Sequence, residues 1–293
     1  MIFRVGVGES DFAALRRSGK YYVDKTAVMY ELVEETENKV TLFTRPRRFG
    51  KTLMMSMLSN FFSIRKDSRE IFEGLGITAY KEFCEKWMNQ SPVLFLSYKD
   101  VEAETFEGAY RMLKTKLADL CKELDFLLEE TAVNSADRDI FRKLMFKTAE
   151  EDDVKNSLKI IMRMLYAVYD RKTILLIDEY DVPLARASEK NTVENAYYSA
   201  MLDVIKGMMG TALKDNEFLE FSVITGCLRI AKESIFTGTN NFASYSVLDA
   251  DFSEYFGFSE EEVEKMLLAA DRQDKADLIK EWYDGYIFGD SFL

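Results

Sequence analysis

Histidine does not occur once in the 293 residues. Its absence removes Ser-His-Asp and Cys-His triads, histidine metal clusters and imidazole acid–base chemistry together. Any catalysis falls to carboxylates, Lys, Arg and hydroxyls, with a hard cation such as Mg²⁺ as the natural assistant. Cysteine is scarce: Cys84, Cys121 and Cys227 stand far apart with no CxxC pair, so neither a disulfide framework nor a structural zinc site is expected, and a reducing compartment fits. Long apolar runs are missing as well. The longest are strand-sized, and the N-terminal MIFRVGVGES lacks the basic-then-apolar run of a signal peptide, so the expected location is cytoplasmic, with no membrane partner. Positive charge is in deficit. A formal net charge of −12 argues against coating nucleic acid through the general surface and leaves only a local basic cleft open.

What is present is core-forming material. Hydrophobic residues make up 47% and charged residues 31%, enough for one large α/β domain or a core domain with a small second one. Strand-like runs alternate with helical periodicity. Residues 39–44 (KVTLFT), 92–97 (PVLFLS), 173–178 (TILLID) and 218–225 read as buried strands, with a fifth near 245–248. Between them, 50–62, 103–129, 154–169 and 193–213 carry apolar residues at three- and four-residue steps. The polar stretch 130–153 reads as irregular or weakly helical. Alternation of this kind predicts a parallel sheet covered by helices on both faces. Ser259 followed by Glu262 is a capping-box pattern opening a further helix, and another runs over 274–283 and stops at Gly285. We see no internal repeat and no low-complexity linker. The apolar, aromatic ending YIFGDSFL creates the expectation that the sequence stops inside a larger protein.

The chemistry concentrates in two motifs. RPRRFGKTL, comprising Arg45, Pro46, Arg47, Arg48, Phe49, Gly50, Lys51, Thr52 and Leu53, lies between a predicted strand and a predicted helix, the context of a phosphate-binding loop. Backbone N–H groups and the helix N-terminus would face phosphate oxygens, Lys51 would reach the β/γ-phosphates, and Thr52 would offer its hydroxyl to Mg²⁺. The first glycine of such a loop is replaced by Arg45, which lacks glycine's freedom in φ. Pro46 is the candidate for holding the turn in another way, and Arg45, Arg47 and Arg48 are candidates for contacts to an anion. The competing reading is a basic loop with no nucleotide. The second motif is the apolar run ending in Asp178 and Glu179. Asp178 is placed to hold the metal's water shell and Glu179 to orient or deprotonate an attacking water; a lone Asp after an apolar run would also read as a helix cap. Thr225, at the end of the 218–225 strand, is the candidate γ-phosphate sensor and Arg229 a candidate charge-stabilising arginine, against plain readings as a strand-end hydroxyl and a surface arginine.

Together, Tyr22-Val23-Asp24-Lys25-Thr26, RPRRFGKTL, IDEYDVPL, ITGCLRIAKESIFTGTNNF and YFGFSEEEV resemble the predicted AAA-ATPase-like family of bacterial P-loop ATPases over nearly the whole chain. The resemblance implies that RPRRFGKT is the family's usual form of the loop, with Lys51, Thr52, Asp178 and Glu179 at the nucleotide and metal positions. It makes Asp24 and Lys25 candidates for bordering the adenine or bracing the loop, beside an equally open structural role. Family members often continue into a nuclease-like C-terminal domain, which implies a fused or separate effector as a possible partner. The expected fold is a P-loop NTPase-type α/β three-layer sandwich with a five-stranded parallel sheet in order 5-1-4-3-2. Residues 1–256 would form the core and 257–293 a helical, lid-like appendix. The expected function is Mg-dependent ATP hydrolysis by a homo-oligomer or a single chain. The rival is a nucleotide-dependent switch or scaffold with little hydrolysis, and a small-molecule kinase lacks an identifiable acceptor pocket.

Overall fold

The computed structural model describes residues 4–188, 196–227, 235–236, 238–239, 241–283, 287–288 and 291–292. In chain order the first elements are α1 (Phe12–Arg17), α2 (Val28–Tyr30, continuing as one π-helical stretch Glu31–Glu35), β1 (Val40–Thr44), α3 (Lys51–Phe62), α4 (Arg69–Phe72), α5 (Lys81–Trp87) and β2 (Val93–Ser97). The middle of the chain forms α6 (Phe106–Glu123), α7 (Ser135–Met145), α8 (Glu151–Tyr169), β3 (Thr173–Asp178) and α9 (Val182–Ser188). It ends with α10 (Ala196–Leu213), β4 (Leu219–Gly226), β5 (Phe242–Tyr245), α11 (Glu260–Ala269), α12 (Ala276–Tyr283) and the short antiparallel pair β6 (Ile287–Phe288) and β7 (Ser291–Phe292).

Strands β1 to β5 form one parallel sheet in the order β2-β3-β4-β1-β5, which is the expected 5-1-4-3-2. Side chains on a strand alternate between faces, and β3 shows what that does here. Leu175 and Ile177 enter one core with Leu113, Ile161 and Ile205 of α6, α8 and α10. Ile174 and Leu176 enter the other with Phe12, Met55 and Phe61 of α1 and α3. All six residues of β3 are buried, so the near-continuous apolar run in the sequence is the mark of a strand covered on both sides. Each fully buried Leu or Ile contributes about 1.5–3 kcal/mol of transfer free energy.

Three expectations are corrected. Of the two readings of 130–153 the irregular one fails and the helical one holds: α7 occupies Ser135–Met145, capped by Asn134, whose side chain accepts from the Ala136 N–H at 2.8 Å, and buries Phe141 and Leu144. The fifth strand lies at Phe242–Tyr245, ahead of its expected place. Ser246 ends it, donating its N–H and hydroxyl to Asp249 Oδ2 at 2.6 and 2.7 Å in a tight turn. The 103–129 helix is shorter, closing at Glu123 before a 3₁₀ turn. The expected stop at Gly285 lies outside the described residues.

The capping box of α11 is formed as read. Ser259 Oγ accepts from the Glu262 N–H at 3.2 Å, and Glu262 Oε2 accepts from the Ser259 N–H at 2.9 Å. Ser259→Ala removes the cap, worth about 1 kcal/mol. Amide hydrogen exchange across Glu260–Ala269 should accelerate about fivefold on that basis, while β3 amides keep their protection.

Candidate functional site

Pairing places the chemistry at one edge of the sheet. Thr44 lies opposite Gly226, Phe43 opposite Thr225, and Ser97 opposite Asp178. The carboxyl ends of β1, β3 and β4 therefore meet where open α/β sheets bind ligands.

The loop after β1 is shaped without a glycine at its first position. Left-handed backbone falls on Arg48 (φ 72°) and Gly50 (φ 78°), and Arg45 is not among the residues with positive φ. A Cβ added at Gly50 would meet nothing within 4 Å, so the need for glycine there is conformational. Gly50 caps α3 without a side-chain hydrogen bond, so the helix opens toward the loop with its N–H groups and positive dipole end. Lys51 folds back over this loop. Its ammonium, 6% exposed as a residue, donates to Arg45 O at 2.9 Å, Pro46 O at 2.8 Å and Cys227 Sγ at 3.3 Å. Two surface cavities, about 380 Å³ beside Asp137 and Arg163 and about 550 Å³ beside Arg69 and Gln90, include no residue of this loop.

The arginine at the loop's first position corrects the expectation of an anion contact. Arg45 is fully buried, with Nη1 donating to Tyr245 O at 2.8 Å and Thr44 O at 3.2 Å and Nη2 reaching Phe252 O at 3.5 Å. Its guanidinium lies 4.7 Å from the centre of the Phe256 ring, a cation–π contact in a desolvated setting. Arg47 and Arg48 are exposed, Pro46 is half-buried, Phe49 packs where a Cβ at Gly257 would come within 3.1 Å of its ring, and Leu53 packs against the α1–α3 core.

Asp178, at the end of β3, is 1% exposed. Oδ2 accepts from Thr52 Oγ1 at 2.8 Å, and Oδ1 accepts from Thr225 Oγ1. Thr52, Asp178 and Thr225, brought from three elements, thus form one hydrogen-bonded set. Glu179 follows in left-handed backbone, φ 57°, a conformation costing roughly 1–2 kcal/mol for a residue with a Cβ. Burial, then the neighbouring Asp178, pushes the Glu179 carboxyl above its usual range, with Lys51 and Lys99 pulling the other way.

Asp24 and Lys25 take the structural alternative. Asp24 Oδ1 accepts from the Thr26 N–H at 2.9 Å and hydroxyl at 2.6 Å, and Oδ2 accepts from the Gly76 N–H at 2.6 Å. Lys25 pairs with Glu262 and donates to Glu254 O, joining the N-terminal segment to α11. Arg229 lies outside the described residues. Three neighbours escaped the sequence reading. Asp181, 3% exposed, accepts from the Cys227 N–H at 3.0 Å; Cys227 receives Lys51; and Lys99 acts on Glu179. A second Asp three residues after Asp178 was the available signal for the first.

The donor set suits a hard divalent ion: a threonine hydroxyl and a carboxylate on facing elements. Among the described residues no group of three or more His, Cys, Asp or Glu gathers as a cage, and Mg²⁺ held by one or two protein oxygens with phosphate and water needs none.

The sheet order, the glycine-lysine-threonine loop on β1 and the acidic end of β3 define the P-loop NTPase class. The chain belongs to the family described as Predicted AAA-ATPase (AAA-ATPase-like), whose match covers residues 6–236. It is also similar to an Azotobacter chroococcum mcd 1 protein described as an uncharacterized protein in the vnfD 5' region, 25% identical over 287 residues, 97% of this chain and 48% of that one. The chain therefore spans about half the length of that relative. Among the described residues no helix is long and apolar enough to cross a membrane.

Arg45→Met removes a donor shared by three backbone carbonyls and should lower unfolding free energy by about 3 kcal/mol, read as a reduced urea midpoint. Arg47→Ala and Arg48→Ala should stay within about 0.5 kcal/mol of the parent.

Proposed function

We propose that this chain is an ATP-binding domain that hydrolyses ATP with Mg²⁺. The single observation that supports the reading most is Asp178 accepting hydroxyls from both Thr52 and Thr225. That contact joins the phosphate loop, the acidic strand end and the sensor position in one cluster. Lys51 sits one residue before Thr52, with its ammonium held above the loop by two carbonyls and a thiol; exchanging those acceptors for phosphate oxygens is the step that binding requires of it. Thr52 and Asp178 are the residues that would hold Mg²⁺, which when bound supplies charge neutralisation at the phosphate oxygens. Glu179, with its carboxyl raised by burial, orients a water and takes its proton as the water oxygen attacks the γ-phosphorus and the bond to the β–γ bridging oxygen breaks, releasing ADP and phosphate. Thr225 holds Asp178 in register, and its sensor role is to turn that one hydroxyl proton from Asp178 to the γ-phosphate.

Residues 257–293 are proposed as a helical, lid-like segment attached to the 1–256 core. A homo-oligomer, or an effector fused or separate, is the proposed partner.

Equilibrium titration with ATP, GTP and ADP, with and without Mg²⁺, tests the assignment. Lys51→Ala should weaken nucleotide binding on the order of tenfold to a hundredfold, from loss of charge-assisted contacts. Glu179→Gln should keep ATP binding and lose on the order of a hundredfold or more in phosphate release; unchanged release in that variant removes Glu179 from the mechanism. Stoichiometric retained ADP with negligible release in the parent would move the assignment to a nucleotide-dependent switch.

A further inference from the structure

Asp181 takes no part in the hydrolysis set out above, yet it is the second enclosed carboxyl at this sheet edge, 3% exposed against 1% for Asp178. Its Oδ2 accepts from the Cys227 N–H at 3.0 Å. The strand end it meets is unusually crowded. A Cβ at Gly226 would fall 2.6 Å from the Tyr180 ring and 2.8 Å from Asp181 Oδ1, so only glycine lets β4 close against the Tyr180-Asp181 pair.

Thr225 and Gly226, which end β4, and Cys227 just past it are anchored from three directions. The Tyr180 N–H donates to Thr225 O at 3.0 Å, and the Arg45 N–H donates to Gly226 O at 3.0 Å. The third anchor, at Cys227, is the only one of these supplied by a side chain, that of Asp181. Two site groups depend on this terminus. Thr225 Oγ1 donates to Asp178, and Cys227 Sγ receives the Lys51 ammonium at 3.3 Å.

We propose that Asp181 is a positioning residue: by holding the Cys227 N–H it fixes the end of β4 that sets the Thr225 hydroxyl on Asp178 and the Cys227 thiol against Lys51. The kinetic consequence rests on the ATPase reading; the geometric one does not. A residue that only starts α9, through the Asp181 carbonyl that accepts the Leu184 and Ala185 N–H groups, would change stability without changing access to Cys227. A clamp on Cys227 changes both.

The test uses the full chain with Asp181→Ala and Asp181→Asn. Iodoacetamide labelling of Cys227 is followed by mass spectrometry against Cys84, itself half-buried, as the internal reference. Asp181→Ala should label Cys227 about tenfold faster relative to Cys84, the local opening expected from losing one charge-assisted bond. Its kcat should fall about tenfold with KM not raised, because a displaced Thr225 misplaces Asp178 during turnover. Asp181→Asn keeps an acceptor oxygen and should stay within about threefold of the parent in both. Unchanged labelling in Asp181→Ala, or an Asn variant as impaired as the Ala variant, overturns the proposal. Should Asp181→Ala not fold, Asp181→Asn decides alone: parent-like labelling and turnover support the clamp, and about a tenfold change with unchanged melting overturns it. Labelling needs no nucleotide, so a chain that neither binds nor hydrolyses ATP would sink the ATPase reading and leave this test standing.

Discussion

The buried Asp178 carboxylate is the group on which the rest of this sheet edge depends. A carboxylate removed from water is stable only where hydrogen bonds replace hydration, and here two threonine hydroxyls from different elements supply them. Satisfying that carboxylate ties the start of α3 to the ends of β3 and β4. Strands β1 and β3 are buried along their whole length, so they act as a rigid base. The polar cluster sits at their carboxyl ends, where neighbouring register aligns Ser97 with Asp178 and Phe43 with Thr225.

Arg45 shows how a loop can lose a glycine and keep its shape. The left-handed turns are moved to Arg48 and Gly50, and position 45 is freed to carry a long side chain. That side chain turns inward. A guanidinium has a planar fork of donors, and this one bonds backbone carbonyls of Thr44, Tyr245 and Phe252 while stacking on Phe256. A lysine could carry the same charge but could not span those carbonyls. The loop's first residue is thereby a pillar between the interior strand β1, the edge strand β5 and the segment that leads to α11.

Much of this was legible in the sequence because it rests on periodicity and on short, ordered motifs. The unbroken TILLID run could only be a strand covered on both faces, and β3 is buried from end to end. Glycine, lysine and threonine between a strand and a helix marked the loop, and its contact with the acidic strand end follows from sheet order. Less legible were features set by tertiary contacts. Helix α7 hid in a polar stretch because only its Phe141 face is buried, although Asn134 was a visible cap. The fifth strand was misplaced because its end is set by the Ser246–Asp249 turn. Arg45 was read by its charge, and charge says nothing about which way a side chain turns; the aromatic cluster that receives it comes from residues some 200 positions later. The sequence left Asp24 and Lys25 between bordering a base and a structural role for the same reason: their partners at Gly76, Glu254 and Glu262 are remote in sequence.

Those remote partners join two regions that the sequence separates. Lys25 binds Glu262, whose other oxygen closes the α11 capping box on Ser259, so the helix start is held by its own cap and by the N-terminal segment together. Phe49 of the loop fits against Gly257, where an added Cβ would crowd its ring at 3.1 Å, and Gly257 is in left-handed backbone at φ 74°. Phe252 and Phe256 lie on Phe43 of β1 and close over Arg45. The residues that shape the loop after β1 are therefore the ones that seat the chain leading into α11. A rearrangement at Arg45 or Phe49 cannot be absorbed locally, since close-packed aromatic contacts leave no slack. It must be passed either into the sheet, where β1 is paired on both sides, or into residues 252–262, which belong to no strand.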